Sequence, residues 1–345
     1  MIEIDGAHGG GGVLRTGLGL ALATGRSVRI DDVRGDRPEP GLKPQHVACV
    51  DAARLVSNGA VTGDELGSET VELVPGSIDG GTVDVDVGTA GSATLVCSTV
   101  LPAAASTERT VTLRVTGGTD VAWSPPADYF GGVTVAVLRR HGLAAALDVI
   151  RRGFYPAGGG TLELTFGASR LEPLALAERA QIDCVRIAAV ASSDLLEADV
   201  ADRLARTAAD RLGEDGVRIA SRGAEYTDSP STGAAVVVRI ESTAGPTGAR
   251  PVAGFSALGE PGVPAEAVAK AAVEDLRTWT AGPGAVDRHL ADQLVPYLAL
   301  AGGVVRVPEV TDHVDSAASV ARAFGFDITV DHDPEGGGVL LRSDP

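Results

Sequence analysis

The chain has 345 residues with a formal net charge of −17 and 3% aromatics, long enough to bury a large core and to hold two domains. It contains no apolar run of roughly 18 residues and no charged-then-apolar leader, so the expectation is a soluble, non-secreted protein without membrane spans. Its acidity argues against a broad nucleic-acid-binding face, although a local arginine cluster can still hold phosphate.

Of the basic residues only Lys43 and Lys270 are lysines. An Asp/Glu-dominated surface over an Ala/Val-rich core is the composition of proteins from high-salt cytoplasm, and a GC-rich genome gives a similar Arg and Ala bias. Cys49, Cys97 and Cys184 lie far apart in apolar contexts without metal-ligand spacing and are expected in the core of a protein from a reducing compartment.

In chain order, MIEIDG predicts a strand that enters a glycine-rich loop, Gly9 to Gly12, and then an apolar helix stopped by Gly25. Strand, glycine loop and helix make a layout that can cradle phosphate, or simply turn tightly. SVRIDDV predicts a second strand. The stiff loop RGDRPEPGLKPQH follows, where Arg34, Arg37, Gln45 and His46 crowd together and two guanidinium forks suit a phosphate or face solvent. A helix from about Val47 to Ser57 comes next. ETVELVPG and TVDVDVG predict strands around Gly80-Gly81, GTAGSATLVCSTVLPAAA a turn and buried helix, and TVTLRVTGG a strand. SPPADYFGGVTVAVLRRHG predicts a proline-started helix, and ALDVIRRG and TLELTFG two strands around Gly158-Gly159-Gly160.

Gly-Gly turns between paired strands, each preceded by a glycine-stopped helix, predict an internal repeat at Gly80, Gly159 and Gly337. The second interval exceeds the first by about one hundred residues, which places an inserted domain in the third copy. The insertion is expected at 181–281, with strands at QIDCVRIAAV, AAVVVRIES and VAGFSALG, helices at LLEADVADRLARTAADRL and PAEAVAKAAVEDLRTWT, and a Pro/Gly loop.

After it, DRHLADQLVPYLALAGG has the period of a buried helix interrupted by the polar pair Asp292 and Gln293, and VVRVPEV is a strand. His313 is expected just before a helix from Asp315 to Phe324, with Thr311, Asp312 or Asp315 as cap. A histidine there is often only a cap or a solvated side chain. Free backbone N–H groups at a helix start also favour an anion, and a neutral imidazole beside a phosphate can act as nucleophile.

Ten stretches in order resemble the RNA 3'-terminal phosphate cyclase family. They are DG-x2-GGG-x2-LRT from Asp5, RGDRPEPGLKPQH from Arg34, ELGS from Glu65, GTAGSATLV from Gly88, TVLP from Thr99, GGTD from Gly117, SPPADY from Ser124, RRGFYPAGGG from Arg151, LADQLV from Leu290, and His313. The resemblance implies an α/β (α+β) fold with three repeats of two helices packed on a four-stranded sheet, formed by 1–180 and 282–345, and a small α/β domain inserted at 181–281. It implies a cytoplasmic enzyme of the ligase class that uses ATP and a divalent metal, Mg or Mn, to turn an RNA 3'-terminal phosphate into a 2',3'-cyclic phosphodiester.

By the same resemblance His313 is the catalytic nucleophile that accepts AMP. His289, Leu290, Ala291, Asp292, Gln293, Ser98, Pro125 and Arg15 bind the nucleotide, and Arg34, Arg37, Gln45 and His46 bind phosphate and RNA. The sequence departs from the family pattern in a short glycine loop without its acidic residue and with Gly12 in place of a Gln. Ser98 also replaces a Gln, His289 a Tyr, and Ser316-Ala317 a Thr-Asn pair. Two other functions stay open here: a catalytically impaired RNA-binding or ribosome-assembly scaffold, which the retained His313 speaks against, and an enolpyruvyl transferase of similar repeat fold, which would need a lysine-rich cleft.

Overall fold

The computed structural model describes residues 1–242, 250–333 and 337–344. Three four-stranded sheets share one connectivity. The first contains β1 (Ile2–Asp5), β2 (Val28–Asp31), β3 (Ala60–Thr62) and β4 (Val71–Val74), with α1 (Gly11–Thr24) after β1 and α2 (Pro44–Val56) after β2. Its spatial order is β1-β2-β4-β3: the first two strands pair in parallel across a helical crossover, and the fourth slides antiparallel between the second and third. The second sheet repeats this order with β5 (Gly81–Asp86), β6 (Val111–Gly117), β7 (Ala145–Arg151) and β8 (Gly160–Phe166). Its helices are α3 (Ala93–Val100), and α4 (Ala127–Tyr129) continued by a π-helical stretch, Phe130–Val135, into α5 (Ala136–Arg139).

The third sheet opens with β9 (Leu174–Leu176), and there the chain departs. It builds β10 (Cys184–Ser192), α6 (Val200–Glu214), β11 (Ile219–Thr227), β12 (Ala234–Ser242), β13 (Arg250–Leu258) and α7 (Ala265–Ala281) before returning. The third repeat then resumes with α8 (Arg288–Ala301), β14 (Gly303–Val307), α9 (Asp312–Ala323), β15 (Ile328–His332) and β16 (Val339–Ser343). β9 lies parallel to β14, so the order β9-β14-β16-β15 matches the other two sheets, whereas the intervening strands run β11-β10-β12-β13.

The buried apolar residues explain the layers. α1 is apolar nearly all round, with Val13, Leu14, Leu18, Leu20 and Leu22 buried, and so it lies inside the molecule rather than on its surface. They join Leu113, Phe130, Leu294 and Leu298 in one core shared by the three repeats. A second core, including Leu204, Val236, Val268 and Trp279, fills the space between the β10–β13 sheet and α6 with α7. In β12 every residue but Arg239 is buried, the pattern of a strand covered on both faces. One face meets α6 and α7, and on the other Val237 belongs to the main core. The three cysteines are buried and free.

Several sequence expectations change. Gly80-Gly81 does not turn between paired strands: Gly81 N donates to Thr110 O and starts β5, while β4 belongs to the previous sheet. The hairpin equivalent to those at Gly159 and Gly337 lies between β3 and β4. It turns at Gly63, where φ is +77° and an added Cβ would fall 1.9 Å from Thr70 O. β3, β9 and β11 were not legible, the first two because they have three residues each and β11 because it is an exposed edge interrupted by Arg222 and Gly223. α2 starts at Pro44, so Gln45 and His46 belong to its first turn, and α9 starts at Asp312, so His313 lies within the helix and Thr311 alone caps it. The Pro/Gly loop after AAVVVRIES falls mainly in 243–249, outside the described residues.

Candidate active site

The repeats leave a cleft of about 950 Å³, walled by the start of α1, the 34–37 loop, the first turn of α2, α3, the segment 122–126, α8, and His313 on α9. β13 adds Ser256 and Leu258, so the inserted strands close one side. Arg15, Arg34, Arg37, Gln45, His46, Ser98, Pro125, His289, Asp292, Gln293 and His313 all line it. Leu290 and Ala291 do not: both are buried in the core, on the face of α8 turned away from the cleft.

The glycine loop is the floor against which the charged groups gather. A Cβ at Gly10 would stand 3.1 Å from Arg37 Nη2, one at Gly11 2.5 Å from His46 Nε2 and 3.0 Å from Arg15 Nη1, and one at Gly12 3.7 Å from His313 Nδ1. Glycine at these positions keeps the backbone N–H groups of the α1 start open between two guanidiniums and two imidazoles. That is a site for an anion in a chain that is otherwise strongly acidic.

Each polar group has a definable state. Lys43 N donates to His46 Nδ1 at 3.1 Å. Burial first, then Arg15, Arg34 and Lys43, push the His46 imidazole down to about 4, so at neutral pH it is uncharged with its proton on Nε2, toward the loop. Arg34 adopts φ +59°, and its Nη1 donates to Glu39 O at 2.8 Å and Gly41 O at 2.7 Å, so part of its guanidinium organises the loop. Gln45 Oε1 accepts from Ser92 N at 2.9 Å, which ties α2 to the cap of α3. Ser98 Oγ donates to Leu95 O at 2.9 Å.

His313 stands in the first turn of α9, where Thr311 Oγ1 accepts from Val314 N at 3.2 Å. Partial burial, then Arg15 and Arg37, hold its imidazole below the ordinary histidine value against the opposing pull of Asp312. It is therefore neutral at pH 7, with a nitrogen lone pair available inside an electropositive pocket.

On the facing wall α8 begins at a side chain that the sequence did not single out. Asp287 is 1% exposed. Its Oδ1 accepts from Tyr129 OH at 2.7 Å and from His289 N and Leu290 N at 2.9 Å each, and its Oδ2 accepts from Gly254 N at 3.0 Å. One carboxylate thus fixes the first turn of α8, and with it His289, to α4 and β13. One turn further on, Gln293 Nε2 donates to His289 O at 2.6 Å, and Gln293 Oε1 accepts from Thr134 in the π-helical stretch at 2.8 Å. Burial, against the attraction of Arg15, pushes the Asp292 carboxyl up to about 7. Asp287 could have been found as an N-cap immediately before an apolar-periodic run. Thr134, Ser256 and Leu258 carry no local signal, because only the tertiary fold brings them to the cleft.

Among the described residues no group of three or more His, Cys, Asp or Glu side chains converges, so they provide no such resident metal site.

The model of a family described as RNA 3'-terminal phosphate cyclase matches residues 7–330. Curated proteins named RNA 3'-terminal phosphate cyclase are similar over nearly the whole length. One from Halobacterium salinarum is 42% identical over 99% of this chain and 99% of its own, and one from Archaeoglobus fulgidus is 41% identical over 94% and 95%. A third, from Pyrococcus furiosus, is 38% identical over 94% of this chain and 93% of its own.

Proposed function

Because the chain belongs to the RNA 3'-terminal phosphate cyclase family, we propose that it converts an RNA 3'-terminal phosphate into a 2',3'-cyclic phosphodiester at the cleft between α1, α8 and α9, at the expense of ATP. The observation that carries the assignment to this cleft is the neutral His313 imidazole set against the glycine loop between Arg15 and Arg37.

A His313 ring nitrogen attacks the ATP α-phosphorus, a P–N bond forms, and the bond to the pyrophosphate oxygen breaks. Arg15 and Arg37 stabilise the charge that develops on the departing and transferring phosphates, and His46 Nε2–H donates a further hydrogen bond there. An oxygen of the RNA 3'-phosphate then displaces the histidine, giving an RNA-to-AMP pyrophosphate link. The adjacent 2'-hydroxyl attacks the RNA phosphorus, AMP leaves, and the hydroxyl proton departs to AMP or water. Splitting one difficult displacement into three easier ones is the advantage of the covalent route. His289, Asp292 and Pro125 contact the nucleoside, and Gln293 holds that wall through His289 O and Thr134.

Residues 1–180 and 282–345 form the catalytic unit in this scheme, and 181–281 an inserted domain that lends Ser256 and Leu258 to the cleft wall. Among the described residues no helix is long and apolar enough to cross a membrane, and the enzyme acts in the cytoplasm on RNA ends. Neither the scaffold nor the enolpyruvyl-transferase alternative gains support from the cleft, which offers a neutral histidine and arginines.

The test is incubation with ATP labelled at the α-phosphate, a divalent ion and high salt, followed by denaturing electrophoresis. Wild type is expected to retain acid-labile, alkali-stable label, and His313→Ala none. A folded wild-type protein that takes no label, even with 3'-phosphorylated RNA present, would defeat the scheme.

A further inference from the structure

Trp123 is 98% exposed at the rim of the cleft, and its φ of +61° is one that bulky side chains rarely adopt. An aromatic this large, held in an unfavourable backbone conformation and left in water in a chain with 3% aromatics, needs an occupant for its faces.

The stem beneath it is fixed. Asp120 is buried, paired with Arg152 at 3.2 Å, and accepts from Thr119 Oγ1 at 2.7 Å. Ser124 Oγ donates to Val121 O at 2.9 Å, and Thr94 Oγ1 donates to Pro125 O at 2.8 Å. The parallel bridge between Asp120 and Phe154 sets alongside it the segment that carries Tyr155, which is 73% exposed.

We propose that Trp123 is a stacking platform for a base of single-stranded RNA near the 3' end that enters the cleft. This rests on the cyclase reading, and it assigns the ring to RNA rather than to ATP. A nucleotide whose α-phosphate touches His313 has its base within one sugar of that atom, beside His289, whereas the RNA strand has to leave the cleft across its rim. Charge supports the same division. A chain of net charge −17 repels a polyanion, and salt weakens whatever phosphate contacts remain. Stacking releases no counterions, and so it carries recognition under those conditions.

The chain has two tryptophans, and the other, Trp279, is 5% exposed and donates to Val286 O. Emission from the exposed ring can therefore be followed in the intact protein. A 3'-phosphorylated oligoribonucleotide, titrated in chelator to prevent turnover, is expected to quench the red-edge emission and shield it from acrylamide. Trp123→Ala is expected to lose both signals and to bind labelled oligonucleotide roughly five- to hundredfold more weakly, with Trp123→Phe between the two. Unchanged emission on RNA binding, equal affinity of Trp123→Ala, or quenching by ATP but not by RNA would overturn the proposal. Wild type assayed in parallel for α-phosphate label separates the two ideas. Label without a Trp123 effect sinks the stacking role alone, whereas a Trp123 effect without label sinks the cyclase scheme and with it the claim that the stacked strand is a cyclisation substrate.

Discussion

Replacing Asp287 by Ala removes one carboxylate and strands four donors. Two of them, His289 N and Leu290 N, are first-turn amides of α8, and loss of such a cap costs about 1–2 kcal/mol. Tyr129 OH and Gly254 N then stay buried without this acceptor, at about 1–3 kcal/mol each. Relief of a desolvated carboxylate, whose pKa burial raises, offsets part of this. The net destabilisation expected for Asp287→Ala is about 3–5 kcal/mol, a large share of a typical folding free energy. Tyr129→Phe keeps the buried ring and removes one donor, at about 1 kcal/mol, and coupling between Tyr129→Phe and Asp287→Asn should be non-additive by a similar amount. The assay is urea unfolding in high salt, with α-phosphate labelling of the fraction that remains folded. Asp287→Ala within about 0.5 kcal/mol of wild type would refute the view that this carboxylate holds α8, α4 and β13 together.

Gly11→Ala drives a methyl to within 2.5 Å of His46 Nε2 and is expected to lower labelling of His313 roughly hundredfold by displacing phosphate ligands. Gly12→Ala, with 3.7 Å to His313 Nδ1, should raise stability by about 0.5–1 kcal/mol in a thermal melt, and equal behaviour of the two variants would show that the loop is not packed as described. Labelling of wild type should rise as pH increases through about 7, where Asp292 ionises, and Asp292→Asn should abolish that step. The folded carboxyl titrates above its unfolded value of 3.8, so its contribution to stability is present below about 4 and is lost as pH rises to about 7. Melting temperatures of wild type and Asp292→Asn that respond identically to pH would contradict this.

The fold was legible where period and punctuation agree. α1 ends at Gly25 and α8 at Gly302, each as its apolar spacing and terminal glycine predict. Candidate residues that the structure gathers at the cleft were legible where chemistry concentrates locally, as in the arginine loop and at His313. What could not be read depends on neighbours distant in sequence. The stretch from Arg34 to His46 offered four candidate phosphate ligands, Arg34, Arg37, Gln45 and His46, but only tertiary contacts show Arg34 partly committed to Glu39 and Gly41 carbonyls. LADQLV is a single motif, yet the helix turns Leu290 and Ala291 into the core and Asp292 and Gln293 toward the cleft. The Gly80 pair looked like the later ones because Gly80 and Gly81 also adopt positive φ, here where the chain enters β5 and not at a hairpin turn as at Gly159 and Gly337.

The interruption of the third repeat also dictates the order in which the cleft can appear as the chain is synthesised. β9 waits for β14, paired as Leu174 with Gly303, across a stretch of chain long enough to make that contact slow to find. Until α8 and α9 have emerged, the glycine loop and its arginines exist without His313. On the proposed scheme, a chain that still lacks α9 has no atom on which to keep AMP, and because α1 packs in a core shared with α8 and α9 the glycine loop takes its final place only when they arrive.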